Sequence, residues 1–502
     1  MIINAAARIV AGFSRKRFDR WYSKATDIQE NLFKHLLENG RKTRFGKEHG
    51  FDGIKDYDSF REKVPVRDYE GLSRYIDMIR AGEEDVLWPG KPLYLSKTSG
   101  TTSGVKYIPI SRESMPYHVS SARNALLMYI LKTGCTDFLK GRMIFVSGSP
   151  ELDMAGEIPT GRLSGISHRH IPAYLRSRRL PSYEANCIPE WDKKLDAIVR
   201  ETADKNMSLI SGIPPWVEMY FERLLDFTGK SSISELFPAF SLFVYGGVNF
   251  EPYQKKFFQL IGRDTPSLET FPASEGFIGF QDEWPSEGLL LIPEAGVFYE
   301  FIPADEFFDE NPQRVALSGI ETGVNYVMIL NTNAGLWGYN IGDTVRFVSK
   351  DPYRFVSTGR LSHFTSAFGE HIIAEEAEHA VTFAAAKTSS VVTEFTLAPL
   401  VDNPSGLPCH QWFIEFNREP EDKALFARTI DKTLQEKNPY YSDLVSGQIL
   451  KPAEVYRLDK GAFNRYMESI GKLGGQNKVP HLSNDRKIAG WFIENEKMTL
   501  LT

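Results

Sequence analysis

Cysteine is scarce in this 502-residue sequence: Cys135, Cys187 and Cys409 are odd in number, far apart and without a C-x-x-C pair. That pattern disfavours a disulfide framework or a cysteine zinc site and fits a reducing, cytoplasmic setting. A basic excess is missing too, with 59 Lys and Arg against 65 Asp and Glu and a formal net charge of -6. No nucleic-acid partner is expected, and any anion site has to be local. Long apolar runs are absent as well. The stretch Met1 to Phe13 is apolar in part, but Arg8 interrupts it and no basic region precedes it as in a signal peptide. It reads as an amphipathic helix packed on the body, with no membrane partner; a membrane-surface role is the lesser alternative. G-x-S-x-G, H-E-x-x-H and paired-cysteine motifs are also lacking, so nothing of that kind competes for the chemistry.

The content that is present, 42% hydrophobic and 25% charged residues, is ordinary for a soluble globular chain. Its length exceeds what one core usually serves, so two or three domains are expected. The informative stretch is Leu93 to Ile110. Between two alternating apolar runs lies a loop with Gly100 and Gly104, the hydroxyls of Thr98, Ser99, Thr101, Thr102 and Ser103, and then Lys106. Glycines let backbone N–H groups turn toward an anion, hydroxyls add donors and lysine adds a mobile positive charge, with no acid nearby. A nucleotide P-loop is excluded by spacing, because Val105 separates Gly104 from Lys106. The reading is a phosphate-holding loop, with a polar hairpin turn as the bland alternative.

Helical spacing places elements at Asp27 to Asn39, Tyr69 to Ala81 and Met115 to Leu131, and Met143 to Val146 reads as a buried strand. The segment Gly156 to Pro181 carries Arg162, Arg169, Arg176, Arg178, Arg179, His168 and His170 with few acids. It reads as a basic loop, open between a solvated surface and a substrate contact. No third ligand joins the two histidines at metal spacing. The runs Ser208 to Ile213, Leu242 to Tyr245 and Ser267 to Phe271, separated by helix-like segments, imply parallel crossover units with ligands at the carboxyl ends of the strands. There stand Gly246-Gly247, a pair that would let an adenine ring lie against the backbone, and Pro272-Ala-Ser274-Glu275-Gly276. From Gly288 to Val348 four apolar runs without helical period suggest an antiparallel sheet or small barrel, with Tyr339-Asn-Ile-Gly-Asp343 linking the last two runs. The C-terminal part reads as helices Glu375 to Ala386 and Glu421 to Glu436 on a short antiparallel sheet. The expected class is α/β: a large N-terminal region of mixed sheets and helices with a β-barrel-like part, then a smaller α+β lid.

These motifs together resemble the adenylate-forming superfamily, and within it the Gretchen Hagen family of acyl-acid amido synthetases, auxin-responsive in plants and with bacterial relatives. The resemblance covers nearly the whole chain. It implies that Thr98 to Ser103 and Lys106 hold the phosphates of ATP, with Ser99 and Thr101 catalytic; the loop is one residue shorter before its lysine than the plant pattern. It implies that Gly246, Gly247 and Ser274 line the nucleotide, that Glu275 holds Mg2+, and that Tyr339 and Asp343 serve the adenosine, Asp343 by taking both ribose hydroxyls. Asn340 stands where an arginine is expected. Ser357-Thr358-Gly359-Arg360 resembles the hinge, with Arg360 at the nucleotide, giving an adenylation domain 1–357, a hinge 358–360 and a lid 361–502. Ser362 replaces the hinge aspartate, and Ser366 stands where many acyl-CoA synthetases carry lysine. In Gln476-Asn-Lys478-Val-Pro480 the resemblance makes Lys478 a catalytic residue delivered by the lid; His481 follows where arginine is common.

The activity implied is ATP-dependent adenylation of a small carboxylic acid, releasing pyrophosphate, then transfer of the acyl group to an amine such as an amino acid, by a monomer or weak oligomer. An acyl-CoA or acyl-protein ligase, and a nucleotide-binding protein without turnover, stay open at this point.

Overall fold

The computed structural model describes residues 2–99, 105–171, 173–247, 250–285, 287–361, 372, 374–400, 403, 406–447, 450–473, 479–483 and 486–501. The chain divides into two compact units, Met1–Ile341 with Arg346–Val356, and Gly342–Val345 with Ser357–Thr502.

The first unit is built on parallel strands. Arg142–Val146 pairs in parallel with Met207–Gly212, which pairs with Leu242–Gly246, which pairs with Ser267–Pro272. Strand side chains alternate, and each face meets its own helices. Ile144, Ile210, Phe243 and Tyr245 join one core with the helices Trp191–Thr202, Pro214–Thr228 and Glu251–Ile261; Met143, Leu209, Leu242 and Leu268 join another with Met115–Thr133. Local sequence sets the helix limits. Pro214 and Pro215 occupy the first turn, where no N–H is needed, and Gly229 closes the last turn at φ 68°. Beyond Ser267–Pro272 the order turns antiparallel through Phe277–Phe280 and Leu289–Leu291, and Val297–Pro303 pairs antiparallel with Asn325–Thr332. A separate sheet contains the hairpin Tyr94–Ser99 and Val105–Ile110, joined in parallel by Ile158–Gly161.

The second unit is α+β. Helices Ala374–Lys387 and Lys423–Lys437 share a core with Val391–Leu400, Cys409–Arg418 and Glu454–Leu458. Its sheet is mixed rather than antiparallel: Cys409–Arg418 and Glu454–Leu458 run in parallel, joined by a crossover that includes Lys423–Lys437 and Pro439–Ser446.

Three local expectations need correction. The N-terminal helix runs to Ser23, because Ala11, Phe18 and Trp21 continue its buried stripe, while Ile9, Val10 and Phe13 stay exposed. The basic segment is not a loop; its described residues include Ile158–Gly161, helices Leu163–Arg169 and Ala173–Arg176 and the edge strand Arg179–Leu180. Tyr339 to Asp343 opens the strand Tyr339–Lys350 instead of linking two strands, with Gly342 at φ 83° permitting an irregular entry.

Candidate active site

The phosphate-loop hairpin is fixed from outside the loop. Thr98 lies opposite Lys106 and Ser99 opposite Val105. The backbone N–H of Tyr107 donates to the Tyr69 hydroxyl at 3.0 Å, and the Lys106 ammonium stands 5.8 Å from the centre of the Tyr69 ring. The helix Glu70–Arg80 thus begins against the hairpin. Gly100, Thr101, Thr102, Ser103 and Gly104 lie outside the described residues, and Ser99 is described only through its backbone.

One contact joins the hairpin to the second motif. Ser96 is buried and its hydroxyl donates to the Ser274 hydroxyl at 3.0 Å. Ser274 and Glu275 occupy the tight turn after Ser267–Pro272, where Ala273 and Gly276 exchange backbone hydrogen bonds of 2.9 and 3.3 Å. Gly246 pairs with Thr270 on that same strand. A Cβ at Gly246 would stand 2.2 Å from the Thr270 carbonyl oxygen, so strand packing already requires glycine there, apart from any adenine ring. Gly247 has φ 81°, a conformation that glycine takes at no steric cost. The hairpin, the glycine pair and the Ser274 turn therefore belong to one neighbourhood of the first unit.

The third motif is held differently. Tyr339 is buried in the aromatic core with Phe45, Phe51 and Trp337. Its chain is pinned on both sides by Arg67, whose N–H donates to the Gly338 carbonyl and whose carbonyl accepts from Asn340 N–H, each at 2.9 Å. The Gly338 N–H donates to the Asn331 side-chain oxygen at 2.7 Å, and Asn331 donates at 2.6 Å to Glu300, the buried acid paired with Arg314. Asp343 belongs to the second unit, as does Arg360, described here through its backbone at the end of Tyr353–Arg360. Near them the buried Thr358 hydroxyl donates to the Thr344 hydroxyl at 2.9 Å, and a Cβ on Gly359 would meet the Ala374 side chain at 2.9 Å. Lys478 lies outside the described residues.

Sequence reading missed Ser96, Arg67, the Glu300–Arg314–Asn331 network and Glu269. Tyr245 OH donates to Glu269 at 3.3 Å, and burial pushes that carboxyl up to about 7. An acid inside the apolar strand Ser-Leu-Glu-Thr-Phe was the only signal available for it. For the others there was none, since each acts through backbone or through partners far away in sequence.

Models of the GH3 (Gretchen Hagen) family match three stretches of the chain: the N-terminal domain at residues 14–178, the central domain at 289–360 and the C-terminal domain at 375–487. A rice (Oryza sativa subsp. japonica) jasmonoyl--L-amino acid synthetase, GH3.5, is 22% identical over 92% of this chain and 92% of its own length. A probable indole-3-acetic acid-amido synthetase from the same plant, GH3.12, is 32% identical over 66% of this chain and 68% of its own length. In fold, the chain is similar to the acyl acid amido synthetase AtGH3.15 in complex with 2,4-DB, with a TM-score of 0.79 at 16% identity, covering 98% of this chain and 97% of the other. The large α/β region followed by a smaller α+β region is shared by that structure, and the family models account for both regions: this chain belongs to the GH3 family.

Proposed function

We propose that this protein is an ATP-dependent acyl-acid amido synthetase, which adenylates a small carboxylic acid and passes the acyl group to an amine, above all the amine of an amino acid. Family membership supports the reaction class. The observation that carries the site is the Ser96–Ser274 contact, because it seats the phosphate hairpin beside the turn that bears Glu275 and next to the strand ending at Gly246.

A carboxylate oxygen is too poor a leaving group for direct attack by an amine. Attack of the carboxylate on the α-phosphorus of ATP releases pyrophosphate and leaves AMP as a good leaving group. Charge builds on phosphoryl oxygens in that step, so positioned donors do most of the catalysis. Thr98, Ser99, Gly100, Thr101, Thr102, Ser103 and Lys106 are the donors on this reading, with Lys478 the catalytic cation. The described donors, the Thr98 hydroxyl and the Lys106 ammonium, suit a phosphate and stand on paired residues of a hairpin fixed by its neighbours. Glu275 is the carboxylate to hold Mg2+, whose charge would offset that of the phosphates. Gly246 and Gly247 leave backbone exposed to the nucleotide, Tyr339 and Asp343 serve the adenosine, and Arg360 the AMP. Residues 361–502 act as a lid turning at 358–360, in a cytoplasmic monomer or weak oligomer.

The test is product identity. With ATP, Mg2+ and a panel of aromatic, fatty and hydroxy acids, mass spectrometry should find N-acyl amino acids when the common amino acids are supplied. Thioesters with coenzyme A and no amide with any amine would overturn the amide-forming assignment.

A further inference from the structure

Among the arginines between Gly156 and Pro181, two hold backbone carbonyls, while Arg179 is shielded from solvent without an acceptor for its Nε and Nη1 among the described residues. Arg178 donates to the carbonyls of Leu139 at 2.6 Å and Gly141 at 2.8 Å, and Arg176 to that of Ile171 at 3.0 Å. Arg179 makes no such bond. Its guanidinium lies over the Phe145 ring, 4.7 Å from the centre, and its Nε and Nη1 are shielded from solvent without an acceptor among the described residues. Two more groups nearby share that condition. Ser164 and His168 are four residues apart, on one face of the helix Leu163–Arg169, and the Ser164 hydroxyl and His168 Nδ1 are both buried and unpaired. Burial, then Arg179, Arg176 and Arg169, lower His168 to about 4, so its imidazole is neutral and carries one N–H.

The set is therefore a guanidinium, a hydroxyl and a neutral imidazole, and among the described residues the charges acting on His168 are all arginines. A guanidinium withdrawn from water without a counter-charge is costly, so its retention points to a partner that arrives with a ligand. Its place in the fold agrees. Phe145 is the penultimate residue of the parallel strand Arg142–Val146, the end at which such sheets bind ligands. His170, two residues beyond His168, hydrogen-bonds through Nε2 to the Tyr94 hydroxyl at 3.1 Å, which ties this segment to the phosphate hairpin.

We propose that Arg179, assisted by Ser164 and His168, binds a carboxylate of a substrate other than the carboxylate being adenylated. A carboxylate clamped by a guanidinium has its lone pairs engaged and makes a poor nucleophile, so this group anchors and does not react. Its source is either the distal carboxylate of a dicarboxylic acid or the α-carboxylate of the acceptor amino acid. The inference rests on the amido synthetase reading for the identity of the substrate, but its first test does not need turnover.

Thermal melting of the wild type and of Arg179→Gln is followed with succinate, glutarate and adipate, and separately with the common amino acids, each with ATP and Mg2+. One of the two sets should raise the melting temperature of the wild type and leave Arg179→Gln unmoved; no shift of the wild type by either set would overturn the proposal. Kinetics then locate the source. In ATP–pyrophosphate exchange without amine, Arg179→Gln should raise KM for dicarboxylates but not for benzoate or hexanoate if the acid carries the group. If the amine carries it, KM should rise for amino acids but not for simple alkylamines in amide formation. The rise should be roughly ten- to a hundredfold, the range for one charge-assisted hydrogen bond. An equal loss with substrates that lack the second carboxylate would contradict the proposal. Failure of the wild type to exchange pyrophosphate with any acid would instead count against the amido synthetase reading, and the melting result would stand by itself.

Discussion

Two shielded cations in this molecule are treated in opposite ways. His481, in the second unit, has Nδ1 at 2.8 Å from a Glu378 carboxylate oxygen and Nε2 at 3.0 Å from one of Glu394. A carboxylate only accepts, and a neutral imidazole has one N–H, so two such neighbours call for the doubly protonated ring. The Phe395 ring stacks on it at 4.2 Å. The backbone is anchored as well: the His481 carbonyl accepts from Leu397 N–H at 2.8 Å and the Pro480 carbonyl from the Thr396 hydroxyl at 2.7 Å. This charge is internal to the fold, and it secures the chain three residues after Lys478 to the strand Val391–Leu400. The two glutamates keep this histidine cationic. Arg179, in the first unit, has an aromatic face and, among the described residues, no acid. A cation with two acids serves architecture; a cation with none is held for something that binds.

The largest effect is expected at His481. His481→Ala leaves Glu378 and Glu394 facing each other without their cation, and should cost about 3–5 kcal/mol of stability in urea unfolding, the range for breaking a buried pair. His481→Arg keeps the charge and should stay within roughly 1 kcal/mol of the wild type. A loss below about 1 kcal/mol in His481→Ala would mean that the pairing contributes little. The second effect is in pH. The two carboxylates raise His481 from 6.5 to about 10 against the opposing effect of burial. Its contribution is thus complete below about pH 6.5 and is lost as pH rises through about 10. Between those values the wild type should lose stability relative to His481→Arg, and parallel curves would contradict the doubly protonated ring. The smallest effect belongs to Arg179→Gln in the absence of ligand. Removing an uncompensated cation should leave stability unchanged within about 1 kcal/mol or raise it, whereas a larger loss would make Arg179 a structural residue like His481.

The elements that surround the motifs were legible because their signals are local. Short apolar runs mark Leu242 to Tyr245 and Ser267 to Phe271, where the strands are Leu242–Gly246 and Ser267–Pro272, and helix-like patterns mark Met115 to Leu131 and Glu421 to Glu436, where the helices are Met115–Thr133 and Lys423–Lys437. What was not legible depends on partners distant in sequence. Ser96 looks like any strand serine until Ser274 is placed beside it, and Arg67 holds the Tyr339 segment through its backbone. Five arginines and two histidines between Gly156 and Pro181 look alike in sequence, and packing separates Arg178, which closes carbonyls, from Arg179, whose Nε and Nη1 have no acceptor among the described residues. Gly246 shows the reverse case: the glycine was read for nucleotide contact, but the Thr270 carbonyl is sufficient reason for it.

Activation of a carboxylic acid by ATP is the step on which the proposed function turns, and acid-dependent exchange of labelled pyrophosphate into ATP, without amine, measures that step alone. Exchange should require Mg2+ and one class of acid, and should fall on the order of 10²- to 10³-fold in Lys478→Ala, the loss expected for one preorganised donor to the transition state. Exchange that is absent with every acid, or that proceeds at full rate in Lys478→Ala, would contradict the proposed function.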